Sequence, residues 1–249
     1  MVWKVGADGI NSPVRSYSKI DSYGWNYPTS AIVATLQHPP RTFPSNTCAY
    51  QRFLPTGPIA FLPLSQTASS LVWSTSPALA AVLTKADPAV LTSMINAAFR
   101  LPELSVRYLH GRLLNSSPVS PDDLRAEIAF RENAHAIARH SALASANVDP
   151  VAAAVGIPDE SAHALPPLVA NIQPGTIASF PLRFRHAEAY IGNRTALIGD
   201  AAHVIHPLAG QGLNLGLGDA AALARCIQIA VMHGGDIGVS NSRSLRFAT

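Results

Sequence analysis

Cysteine is almost missing from these 249 residues: Cys48 and Cys226 stand far apart and share no metal-ligand spacing. That excludes a cysteine-built metal centre or a disulfide scaffold as the organising feature. It leads us to expect a reducing compartment in which both thiols serve as small core residues. Charge is scarce too, with 18 Lys and Arg against 15 Asp and Glu. The basic residues are scattered, so neither a nucleic-acid groove nor an acidic substrate is expected despite a pI near 9.1. No uninterrupted apolar run approaches the roughly 20 residues a bilayer span needs, and an integral membrane protein is not expected. No amphipathic, Arg-rich leader stands at Met1, and no internal repeat is found. What is present is apolar content: 48% of the chain is hydrophobic, enough for a substantial core in one or two domains.

Patterning divides the chain into a sheet-rich first half and a mixed second half. Residues 2–7 and 29–37 read as strands. Short β-branched or aromatic runs at 50–54, 58–64 and 70–76, separated by Pro, Gly and a polar turn, predict an antiparallel sheet. Asp87-Pro88 opens a helix whose Val90, Leu91, Met94, Ile95, Ala98 and Phe99 share one face up to Pro102. Ser120-Pro121-Asp122-Asp123 opens another, expected to run to about Ala146, and the Ala- and Pro-rich 151–167 reads as a loop or linker within an insertion. Strand character resumes at 177–184, 189–191 and 195–198, before a long helix from about Gly210 to Met232.

The chemistry is concentrated between Thr195 and Asp219. A short apolar strand ends in Gly199-Asp200, placing a carboxylate where it can bind a ribose hydroxyl. After a loop stopped by Pro207, Gly210 and Gly212 let the backbone approach a ligand closely, and the following helix start favours an anion or an electron-rich ring edge. Glycines before a helix also serve tight turns alone, and a Gly-x-Gly by itself decides nothing.

The whole string is more specific. Gly199-Asp200-Ala201-Ala202-His203, Pro207, Gly210-Gln211-Gly212-x-Asn214 and Asp219 resemble the second FAD-binding motif of the flavoprotein aromatic hydroxylases. Val5-Gly6-Ala7-Asp8-Gly9-x-x-Ser12-x-x-Arg15 resembles the same family's Asp-Gly motif. Tyr50-Gln51-Arg52-Phe53-Leu54-Pro55, Phe61-Leu62-Pro63-Leu64 and Ser179-Phe180-Pro181-Leu182 extend the similarity towards the mitochondrial ubiquinone-biosynthesis monooxygenases.

That resemblance implies an α/β (α+β) fold: part of a three-layer FAD/NAD(P)-binding domain at 1–28 and 185–240, and an antiparallel substrate-domain sheet at 29–184 with a helical insertion at about 120–170. The amino-terminal Rossmann βαβ unit with its Gly-x-Gly-x-x-Gly turn is not found, so the chain is expected to be a fragment or truncated form, active or not. The implied reaction inserts one oxygen atom into a polyprenylated phenol, using FAD; no protein base is required, and no catalytic residue is named. The implied cofactor residues are Asp8, Gly9, Arg15, Gly199, Asp200, Pro207, Gly210, Gln211, Gly212 and Asn214. Asp8 could equally cap a turn and Arg15 be a surface charge. Residues 53–64 are expected to wall an apolar channel for the tail, or else to be ordinary core.

The resemblance also implies an electron source, either a nicotinamide cofactor or, as the mitochondrial members suggest, a ferredoxin-type electron donor, together with a ubiquinone-biosynthesis protein complex and peripheral association with the matrix face of the mitochondrial inner membrane. Two rivals stand beside it: a metal site of Asp200, His203 and His206, and a non-catalytic interaction subunit.

Overall fold

The computed structural model describes residues 4–40, 45–115, 119–135, 137, 165–207 and 210–235. It is mixed α/β and separates into two units, Met1–Tyr27 with Leu182–Thr249, and Pro28–Pro181. The chain passes from one to the other within β2 (Ser22–Gln37) and returns within β7 (Ala178–Ala187).

The unit Pro28–Pro181 is an antiparallel sheet with helices packed on it. Strands β3 (Tyr50–Leu54), β4 (Gly57–Pro63) and β5 (Ala68–Thr75) follow one another and pair in the order β2-β5-β4-β3, with β6 (Asn171–Ile172) on β2. Register places Ile32 opposite Trp73, and Ile59 opposite Trp73 from the other side. All three side chains are fully buried. Against them lie α2 (Pro77–Lys85), α3 (Pro88–Arg100), α4 (Glu103–Asn115) and α5 (Pro121–Ala134). The predicted face of α3 is buried as expected, together with Ser93, Asn96 and Ala97.

Helix starts follow one device. Ser76, Asp87 and Ser120 each accept a backbone N–H from the first turn, and each is followed by a proline whose missing N–H costs nothing there. Arg52 closes the other end of α3 by donating to the carbonyls of Ala98 and Leu101 at 2.7 and 2.8 Å. α5 ends at Ala134, short of the expected Ala146; residues 136 and 138–164 lie outside the described part of the chain.

The other unit is built on a parallel pair. β1 (Lys4–Gly6) runs alongside β9 (Thr195–Leu197), with β8 (Ile191–Gly192) antiparallel on its far side. Helix α1 (Pro13–Tyr17), capped by Ser12, packs Val14 against Gly6, and Ala187, Leu197, Ala201 and Ala202 complete a small core with Ile20 and Tyr190. β10 (His203–Val204) pairs with the end of β7. The last element is α6 (Gln211–Met232), which buries only Leu223 and Ala230. By length and composition alone α6 could cross a membrane, although no apolar run in the sequence is uninterrupted for that distance. Neither cysteine is a core residue as expected: Cys48 is exposed and Cys226 half-buried, both as free thiols.

Candidate functional site: two loops at the ends of parallel strands

Because β1 and β9 are parallel, both carboxyl ends point the same way, and ligands in such sheets bind outside those ends. From β1 the chain runs into Asp8-Gly9; from β9 it runs into a 3₁₀ turn, Gly199–Ala201. Sequence-distant motifs therefore become neighbours. Ile198 N–H donates to the Gly6 carbonyl at 2.9 Å, and the Arg15 guanidinium donates to the carbonyls of Ile10 and Ala201 at 2.6 and 2.8 Å.

Asp8 is exposed, and its carboxylate accepts the Val14 N–H at 3.1 Å at the start of α1. Desolvation pushes its pKa up, but hydrogen bonds from Ser12 and the Val14 backbone, with the Arg15 charge, outweigh this and hold it below the usual value. Gly9 has φ +86° and open space where a side chain would begin.

Gly199 adopts φ +58° and Gly210 φ +62°, and a Cβ at Gly199, Gly210 or Gly212 would meet no atom of the described residues within 4 Å. Among those residues, bare backbone thus faces open space at three places. Asp200 lies exposed between them in sequence, and Pro207, half-buried, accepts the Gly210 N–H at 3.1 Å. α6 starts on left-handed Gly210 with no side-chain cap, unlike every capped helix above. Gln211 and Asn214 are exposed on its first turn. An exposed carboxylate at a strand end, glycine backbone open to a ligand and an uncapped helix start fit the ribityl and flavin end of FAD.

Asp219, the last residue of the motif, holds its two ends together. Its Oδ2 accepts the Gly199 N–H at 2.8 Å and lies 2.7 Å from His203 Nε2. A helical stripe could have revealed it: Gly212, Gly216, Asp219, Leu223, Cys226 and Ala230 follow one face of α6 and are among its less exposed positions. Gly216 brings that face within close range of Gly199. Behind it, the Tyr190 hydroxyl meets His186 Nε2 at 2.9 Å, and burial with the Asp219 charge pushes the tyrosine pKa up.

The rival metal triad is not assembled. Among the described residues no three potential ligands come together; His203 Nε2 is engaged by Asp219, and the His206 ring lies 5.0 Å from that of Tyr27. Burial lowers the His206 pKa. Of the expected channel wall, Ile59 and Phe61 are fully buried core, because their strand face is covered by helices; Phe53, Leu62 and Leu64 point outward.

A family described as FAD binding domain matches residues 159–236. The chain is 42% identical to the mitochondrial ubiquinone biosynthesis monooxygenase of Xenopus tropicalis over 98% of its own length and 45% of the relative's. For the protein of the same name from Saccharomyces cerevisiae the figures are 40%, 96% and 46%. The chain thus spans less than half the length of the curated relatives it matches. Among solved structures, a probable FAD-dependent monooxygenase from Pseudomonas aeruginosa matches with a TM-score of 0.52 and 22% identity, covering 92% of this chain and 46% of that one. That likeness supports the fold.

Proposed function

Starting from homology to the ubiquinone biosynthesis monooxygenases over nearly the whole chain, we propose that it supplies the flavin-facing part of an FAD site in an enzyme hydroxylating a polyprenylated phenol in mitochondria. The observation that carries the reading is the pairing of β1 with β9, which sets the Asp-Gly loop beside the Gly199–Ala201 turn. Asp200 would accept hydrogen bonds from ribityl or ribose hydroxyls. Gly210, Gln211, Gly212 and Asn214 would offer backbone groups at the α6 start to the flavin, with Pro207 shaping the loop before them. Gly199 gives the turn its left-handed backbone, and Asp8, Gly9 and Arg15 shape the opposing loop.

When bound, FAD supplies the O₂ activation that aromatic hydroxylation requires. The chain's own part is to bind, orient and exclude water, and no residue is assigned as a general base. Electrons from a ferredoxin-type donor, membership of a ubiquinone-biosynthesis complex and peripheral attachment at the matrix face of the inner membrane complete the proposal.

The test is an FAD titration of the chain, followed by flavin fluorescence and by retention through gel filtration. Saturable binding that Asp200→Ala weakens but does not abolish is expected; no saturable binding would sink the reading. A second reading, a non-catalytic interaction subunit, is favoured by the exposed apolar residues of α6, Leu213, Leu217 and Met232 among them. Failure to bind FAD together with stable capture of a ubiquinone-biosynthesis protein would favour it.

A further inference from the structure

Asp200 is exposed, but backbone groups of the residues on either side of it are held by charged side chains. On its amino side the Gly199 N–H donates to Asp219 Oδ2 at 2.8 Å. On its carboxyl side the Ala201 carbonyl accepts from Arg15 Nη1 at 2.8 Å, while Nη2 of the same guanidinium reaches Ile10. The turn between is only three residues long, begins with a left-handed glycine and is closed by the Ala202 N–H donating to the Gly199 carbonyl at 2.8 Å. Asp219 is itself steadied by His203, and Gly216, on the same face of α6, lies against Gly199.

We propose that Asp219 and Arg15 are positioning residues that clamp the Gly199–Ala201 turn from both sides and aim the Asp200 carboxylate, without touching the ligand. This rests on the FAD reading of the site. It also gives Arg15 a different task from supporting a pyrophosphate, because two of its donors are spent on carbonyl oxygens. A lysine cannot reproduce that fork, whereas asparagine at 219 keeps an acceptor oxygen.

The test uses the full chain and two readouts. In FAD titrations, Asp219→Ala and Arg15→Lys should each weaken binding about tenfold, the scale of one hydrogen bond to a charged group, and Asp219→Asn should lose less. In an Asp200→Ala background the same substitutions should cost almost nothing further, since they act through Asp200. In flavin-free protein, amide exchange at Gly199 should accelerate about tenfold in Asp219→Ala and by less in Asp219→Asn. Equal losses with and without Asp200, or unchanged exchange in Asp219→Ala, would overturn the clamp. If the unsubstituted chain binds no FAD, the functional reading falls, and exchange alone decides the clamp.

Discussion

Helices α3 and α6 solve opposite problems. α3 begins at a capped Asp87-Pro88, ends on Arg52, and buries nine of its 13 residues. α6, with 22 residues, begins on an uncapped left-handed glycine and buries two. The first is finished by its own unit; the second leaves its amino end open to a ligand and most of its surface to solvent. Stability and ligand access are thus divided between regions, and the end of a helix left without a cap is the place to look for chemistry.

The largest expected break in that contrast comes from the core beneath α3. Phe61→Ala, removing a fully buried ring that meets Phe99 edge-on, should cost about 3–5 kcal/mol in urea unfolding. A cost below about 1 kcal/mol would mean the core is far looser than described.

Acid should come next. Burial pushes the His110 pKa down to about 4, so the folded state keeps this ring neutral while the unfolded state protonates it near its ordinary 6.5. Its contribution is complete above about 6.5 and is lost as pH falls towards 4, approaching about 3 kcal/mol below that. Unfolding midpoints measured from pH 7 to 4 should fall less steeply in His110→Gln; parallel curves would remove His110 from the account.

Caps are smaller. Ser76→Ala and Asp87→Ala should each cost about 1 kcal/mol in thermal or urea melts. Least of all, Leu217→Ser on the exposed side of α6 should change stability by no more than about 0.5 kcal/mol while raising solubility. A loss there matching Phe61→Ala would erase the contrast.

Much of this was legible where local signals agree. The openings at Asp87-Pro88 and Ser120-Pro121, and a final helix ending at Met232, stand where hydroxyl or carboxylate caps, proline and apolar spacing predict them. The first part of β2 was not. Its Gly24, Asn26 and Pro28 imitate a turn, yet the strand continues through them. Gly24, at φ +155°, faces the Phe184 carbonyl so closely that any side chain would collide with it, a constraint that belongs to the partner strand. α4 was also missed, its apolar spacing interrupted by Gly111 and by buried Ser105 and His110.

In the site, glycines and Asp200 announce themselves because their chemistry is local. Asp219 and the bridging geometry of Arg15 do not, because their partners lie 16 to 20 and 186 residues away along the chain.

The parallel pairing of β1 with β9 has a consequence for the order of folding. Lys4 and Thr195 are partners, so closing that pair directly means closing a loop of roughly 190 residues, entropically costly and slow. If Pro28–Pro181 folds first, its chain ends leave through β2 and β7, neighbouring strands, and the remaining search becomes short. The two loops of the proposed cofactor site then come together last, and a nascent or partly unfolded chain carries both halves of that proposed site without yet having joined them.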